Sequence, residues 1–68
     1  MDLALDQFMG EPVNIIYLDS DNRTVQHKID ILTTGAQCCV AYCFDRQEAK
    51  LFRNNSILAV MPIKKYYH

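Results

Sequence analysis

Apolar and polar residues alternate with a period of two along much of this chain. The clearest run is 23–31, where Val25, His27, Ile29 and Ile31 fall on one side and Thr24, Gln26, Lys28 and Asp30 on the other. A strand with one wet face gives this pattern. Before it, residues 13–18 (VNIIYL) are β-branched and aromatic, with Val13, Ile15 and Tyr17 sharing a face. Asp19, Ser20, Asp21 and Asn22 lie between the two runs as successive turn formers, so the pair reads as a hairpin. Residues 33–35 (TTG) interrupt the alternation, and Gly35 suits a backbone position of positive φ. Residues 36–44 resume as a strand with little polar character on either side. Such a strand is expected to be central and covered on both faces, or to meet a partner with one of them. The polar connection 45–48 (DRQE) leads to a strand over 49–53, and 54–56 (NNS) suit a tight turn or one turn of 3₁₀ helix. A last strand covers 57–63, with Pro62 near its end predicting an edge position.

Ahead of the strands, residues 2–9 suit a short helix. Leu5 lies at helical spacing from Phe8 and Met9, Asp2 stands near the start, and Gly10 can stop it. So short a helix is marginal alone, and its expected role is to cover an open end of the core. Five short, strongly turned strands favour an all-β fold, closed or nearly closed to remove exposed edges. A small five-stranded SH3-like or Sm-like barrel over 13–63 is the expected architecture, since an OB-fold needs longer strands.

Composition narrows the classes. The chain has 68 residues, enough for one small domain. A formal net charge of -1 gives no general attraction to nucleic acid or membrane, so any anion binding must be local. No apolar run approaches a membrane span, and MDLALDQFMG carries acids where a secretory signal carries bases. A cytoplasmic protein is expected. Three cysteines, two of them adjacent, do not make a disulfide framework.

The local cluster is the turn after the third strand. Arg46, Lys50 and Arg53 are three of the seven Lys and Arg residues. Arg presents a planar fork to phosphate and Lys a point charge, while Tyr42 or Phe44 would stack a base. The plainer account is a solvated turn in which Arg46 pairs with Asp45 or Glu48. Strand parity also sets positions 50 and 53 on opposite faces unless the strand bends or bulges. Zinc is not expected on Cys38, Cys39 and Cys43 with His27 or His68: Cys38 and Cys39 point to opposite faces, and Cys39 and Cys43 stand roughly 13 Å apart along a strand, too far for one ion. These thiols are expected to pack as small hydrophobes. His27 is expected to be part-buried and hydrogen-bonded. No nucleophile, base and orienter pattern, carboxylate pair or phosphate loop stands out, and neither a catalytic role nor a cofactor is expected. The basic, aromatic end, 64–68 (KKYYH), reads as a frayed solubilising tail more readily than as a nucleic-acid grip.

The same stretches resemble a WYL domain over residues 13–61. The similarity lies in the strand Ile15-Ile16-Tyr17, in Val40-Ala41-Tyr42-Cys43, in the turn Arg46-Gln47-Glu48 and in Phe52-Arg53. The family's Trp-Tyr-Leu falls on Gln37, Cys38 and Cys39, and two of its arginines fall on Lys50 and Ser56. The resemblance implies an Sm-like barrel of the kind fused to helix-turn-helix segments in bacterial transcription regulators, here as a stand-alone module. It also implies a basic pocket sensing a nucleic-acid-type ligand such as single-stranded DNA or a nucleotide. Arg53 and Lys50 would hold that ligand, with Arg46 at the rim and Tyr42 beside it. The rival expectation is a module without the pocket, which uses its apolar strand or an edge to form homo-oligomers or dock on a larger regulator.

Overall fold

A computed structural model describes residues 5–63. Its elements are a 3₁₀ turn η1 (Leu5–Phe8), strands β1 (Pro12–Leu18), β2 (Thr24–Thr34), β3 (Cys38–Cys43) and β4 (Glu48–Arg53), a second 3₁₀ turn η2 (Asn54–Ser56), and β5 (Ile57–Pro62). All strand pairs are antiparallel, in one sheet of order β4-β3-β2-β1-β5. The chain is therefore mostly β, and the sheet is not closed: β4 and β5 are its two edges. Pro62 lies on an edge strand, where its missing N–H removes no ladder bond on the open side. Among the described residues no helix is long and apolar enough to cross a membrane.

Period-two patterning becomes a one-sided core. Val13, Ile15, Ile29, Ile31, Cys39, Ala41, Cys43, Phe52 and Ile57 are buried, joined by Leu5 from η1. The helix expected over 2–9 is one 3₁₀ turn, with positions 2–4 outside the described residues. Leu5 is buried and Phe8 packs on the core. Gly10 ends the turn at φ +88, a left-handed position that costs glycine little.

Three local expectations need correction. Thr33 and Thr34 do not break β2 but continue it past a register shift between Ile31 and Thr33, which leaves Leu32 as the extra residue, half exposed. Gly35 does not take a positive φ; a Cβ there would sit a tight 3.0 Å from the Cys38 carbonyl oxygen, so close packing rather than dihedral freedom favours glycine. Positive φ occurs instead at Asn22 and Gln47, in the β1–β2 and β3–β4 turns. Strand β3 lies inside the sheet but is not fully covered on both faces: Cys39, Ala41 and Cys43 are buried, while Cys38, Val40 and Tyr42 are half-buried on the other. This corrects the first of its two expected settings and leaves the second, a partner on that face, open. A single sheet supplies no second layer there.

The sheet curls over this core. Tyr17, on β1, meets Phe52, on β4, edge-to-face with ring centroids 5.1 Å apart. The backbone N–H of Arg53 donates to the Tyr17 hydroxyl at 3.1 Å. Phe52 and Arg53 belong to an edge strand, three places across the sheet from β1, so only strong curvature brings them together. At the same end, Asn54 donates from its backbone to the Gln37 carbonyl at 2.8 Å and from its side chain to the Gly35 carbonyl at 2.9 Å, tying η2 to the β2–β3 loop.

Candidate functional site

The curl leaves a recess of about 180 Å³ between the β1–β2 turn, β2 and β4. Tyr17, Val25 and Phe52 give it apolar walls, and Asp19, His27, Arg46 and Lys50 supply polar groups. Each arrives for a local reason. Lys50 lies opposite Ala41 in the β3–β4 ladder, on the same face as the buried Phe52, which aims it toward the concave side. Arg46 is carried by the β3–β4 turn, which Gln47 closes by donating its N–H to the Cys43 carbonyl at 2.8 Å. Asp19 is held by its own turn: its Oδ1 accepts from the backbone N–H groups of Asp21 and Arg23, both at 2.9 Å.

The expected ligand residues thus separate into two groups. Arg46 and Lys50 share the recess. Arg53 and Tyr42 do not: the β3–β4 ladder runs without a bulge, so Arg53 faces away from Lys50 and Phe52, while the largely exposed Leu51 still borders the recess at its β4 edge. Tyr42 lies on that outward face, its ring 5.3 Å from Phe44 in an edge contact, and the Lys28 ammonium stands 5.3 Å from the Phe44 centroid. Among the described residues Arg46 makes no ion pair with Asp45 or Glu48.

What sequence reasoning missed is the grouping around His27: it weighs His27 and Cys43 only to set them aside and does not bring in Asp45. The His27 Nδ1 is 3.8 Å from the Cys43 Sγ and 3.8 Å from an Asp45 carboxylate oxygen. Phe52 and Tyr17 flank its ring at centroid distances of 5.8 and 6.5 Å. Alternation alone gives the inward face of His27; the grouping needs the β2–β3 register, which sets Ile29 opposite Cys43 and bonds Phe44 to Lys28. The remaining thiols differ in character. Burial pushes the Cys39 pKa up, reinforced by the neighbouring Cys38, so Cys39 stays a thiol. All three cysteines are free.

Comparison with protein-family models, with curated proteins and with solved structures returns no match.

Proposed function

We propose that this chain is a non-enzymatic, ligand-binding regulatory module of the cytoplasm whose recess takes a phosphate group of a nucleic-acid-type ligand. The observation that carries the reading is the convergence of Arg46 and Lys50 on one concave site. Two cations on a curved sheet beside aromatic Tyr17 suit a phosphate next to a base or sugar. At about 180 Å³ the space is smaller than the roughly 300–1,000 Å³ of a site enclosing a whole small molecule. It fits one phosphate of a strand that otherwise lies on the surface. Asp19 tempers the positive field, so affinity for a free anion is expected to be weak, with several contacts along a strand needed. The strand order, η2 between the two edge strands, and the Tyr17–Arg53 bond across the gap all favour an SH3-like or Sm-like barrel left open at one seam. That is the architecture implied by the resemblance to WYL domains.

The test is fluorescence anisotropy of a short labelled single-stranded DNA. With two phosphate contacts, log affinity should fall with log salt at a slope of about −1.4, roughly sevenfold between 50 and 200 mM. Lys50→Ala or Arg46→Ala should weaken binding and bring the slope to about −0.7. Arg53→Ala, on the opposite face, should do less. Absence of binding at low salt, or indifference to both recess substitutions, refutes the proposal.

A second reading rests on a separate observation. Leu51, Leu58 and Phe44 are 64%, 52% and 39% exposed, close to edges β4 and β5. Exposed apolar residues near unpaired edges suit association with another chain. Concentration-dependent oligomers in sedimentation, abolished by Leu51→Glu and unaffected by Lys50→Ala, would establish it.

A further inference from the structure

The phosphate-binding reading gives Asp45 no part, Cys43 only a place in the core and His27 only a place in the recess wall, yet the three bring different metal-ligating groups together. We propose that His27 Nδ1, Cys43 Sγ and the Asp45 carboxylate form a three-ligand site for a divalent transition-metal ion of the zinc class, with a fourth position left for an exogenous ligand.

Their ligand atoms all lie within 4.8 Å of one another. Zinc bonds of about 2.0 Å to nitrogen and 2.3 Å to sulfur, at the tetrahedral angle, set the two ligand atoms about 3.5 Å apart. The observed 3.8 Å from His27 Nδ1 to the Cys43 Sγ is within a few tenths of an ångström of that edge. The carboxylate edges are about 3.3 Å to nitrogen and about 3.6 Å to sulfur by the same geometry. They require the exposed Asp45 side chain to swing inward from its 3.8 Å approach. Nitrogen, thiolate and carboxylate are a donor set that zinc accepts, and sites with three protein ligands characteristically keep an open position.

Two other accounts of the cluster fit less well. In a nucleophilic Cys–His–acid relay, the histidine would touch the thiol with one ring nitrogen and the acid with the other. Here both contacts converge on Nδ1, which is what a shared ion between the three groups requires. Cys43 is also fully buried, out of reach of a substrate. A plain His–Asp ion pair beside a core-packed Cys43 does not call for the 3.8 Å approach of the thiol to the same ring nitrogen.

The fold preorganises the set. With Ile29 opposite Cys43 at the end of the ladder, position 27 lies two residues along the same face, within reach of Asp45 in the turn that follows. Phe52 and Tyr17 hold the imidazole from the core side. Exposure rises from Cys43, fully buried, through His27, 14% exposed in its side chain, to Asp45, 61% exposed, so the ion would arrive past the carboxylate. A thiolate and a carboxylate neutralise a divalent ion, which limits repulsion from Arg46 and Lys50 beside His27. Strand spacing keeps Cys39 and Cys43 apart and so speaks against zinc on the cysteines with His27. The structure reopens that site with Cys43 alone among the thiols, since His27 on β2, Cys43 on β3 and Asp45 in the following turn meet across the sheet.

The test uses Co²⁺ as probe, added to the reduced, chelator-treated full chain. One equivalent should produce a thiolate-to-cobalt charge-transfer band in the near ultraviolet with the visible bands of a four-coordinate ion, and Zn²⁺ should displace it. Cys38→Ser should leave the titration intact. Cys43→Ser should abolish the charge-transfer band. Asp45→Asn, an isosteric change at an exposed turn residue, should weaken Co²⁺ at least tenfold, since loss of even a partner behind a ligand costs about 10–100-fold. The proposal is overturned if no such band forms, or if Asp45→Asn titrates like the wild type. These outcomes do not depend on DNA binding, so this proposal and the phosphate reading fail separately.

Discussion

Phe52 and Leu51 are neighbours on one edge strand with opposite fates, and substituting each in turn measures how far the sheet curls. Phe52 is 2% exposed and Leu51 64% exposed. Truncating a buried phenylalanine to alanine costs about 3–5 kcal/mol. A 68-residue chain at about 0.05–0.15 kcal/mol per residue has only about 3–10 kcal/mol in total, so Phe52→Ala should leave it largely or wholly unfolded. Phe52→Leu is the graded version. It keeps most of the apolar bulk but removes the edge-to-face contact with Tyr17, worth about 0.5–1.5 kcal/mol, and leaves a small void. About 1–2 kcal/mol is expected. Leu51→Ala, on the exposed face, should cost less than about 0.5 kcal/mol. In urea unfolding, with a slope near 1 kcal/mol/M for so small a protein, Phe52→Leu should lower the midpoint by about 1–2 M and Leu51→Ala by under about 0.5 M. Equal midpoint shifts would show that β4 does not turn Phe52 inward. The curled sheet, with Lys50 on its concave side, would then be wrong.

Two further predictions follow from the seam and the thiols. Tyr17→Phe removes the acceptor for the Arg53 N–H; because that bond is exposed and water can replace it, the cost should be near the lower end of about 0.5–1.5 kcal/mol. Hydrogen exchange at the Arg53 amide should accelerate, and an unchanged rate would show that the bond does not close the seam. The raised pKa of Cys39 means that the folded state holds its proton more tightly than the unfolded chain. Its contribution is therefore fully present below about 8.5, the ordinary cysteine value, and declines as the pH rises beyond it. Urea midpoints should fall over that alkaline range less steeply in Cys39→Ala than in the wild type, and identical slopes would refute the assignment.

Much of the fold is legible in the order of residues, because strand patterning is local. The face shared by Val25, His27, Ile29 and Ile31, the turn formers after Leu18, the NNS turn and the edge position of Pro62 all follow from side-chain period and backbone preference. Gly10 likewise stops a turn where its free φ allows. Parity alone also separates Lys50 from Arg53, and the regular β3–β4 ladder keeps them apart.

Tertiary structure decided what depends on register and curvature, which no local pattern encodes. The extra residue at Leu32 carries β2 through Thr33 and Thr34, where composition suggested a break. Gly35 is favoured by the close approach of the Cys38 carbonyl, a contact across a loop. The recess exists because the sheet bends until Tyr17 reaches Phe52 and Arg53, drawing Arg46 and Lys50 toward His27 and leaving Tyr42 outside. His27, Cys43 and Asp45 meet only because β2 and β3 pair in one register. A shift of one residue would turn the side chains of one strand to the other face and scatter all three.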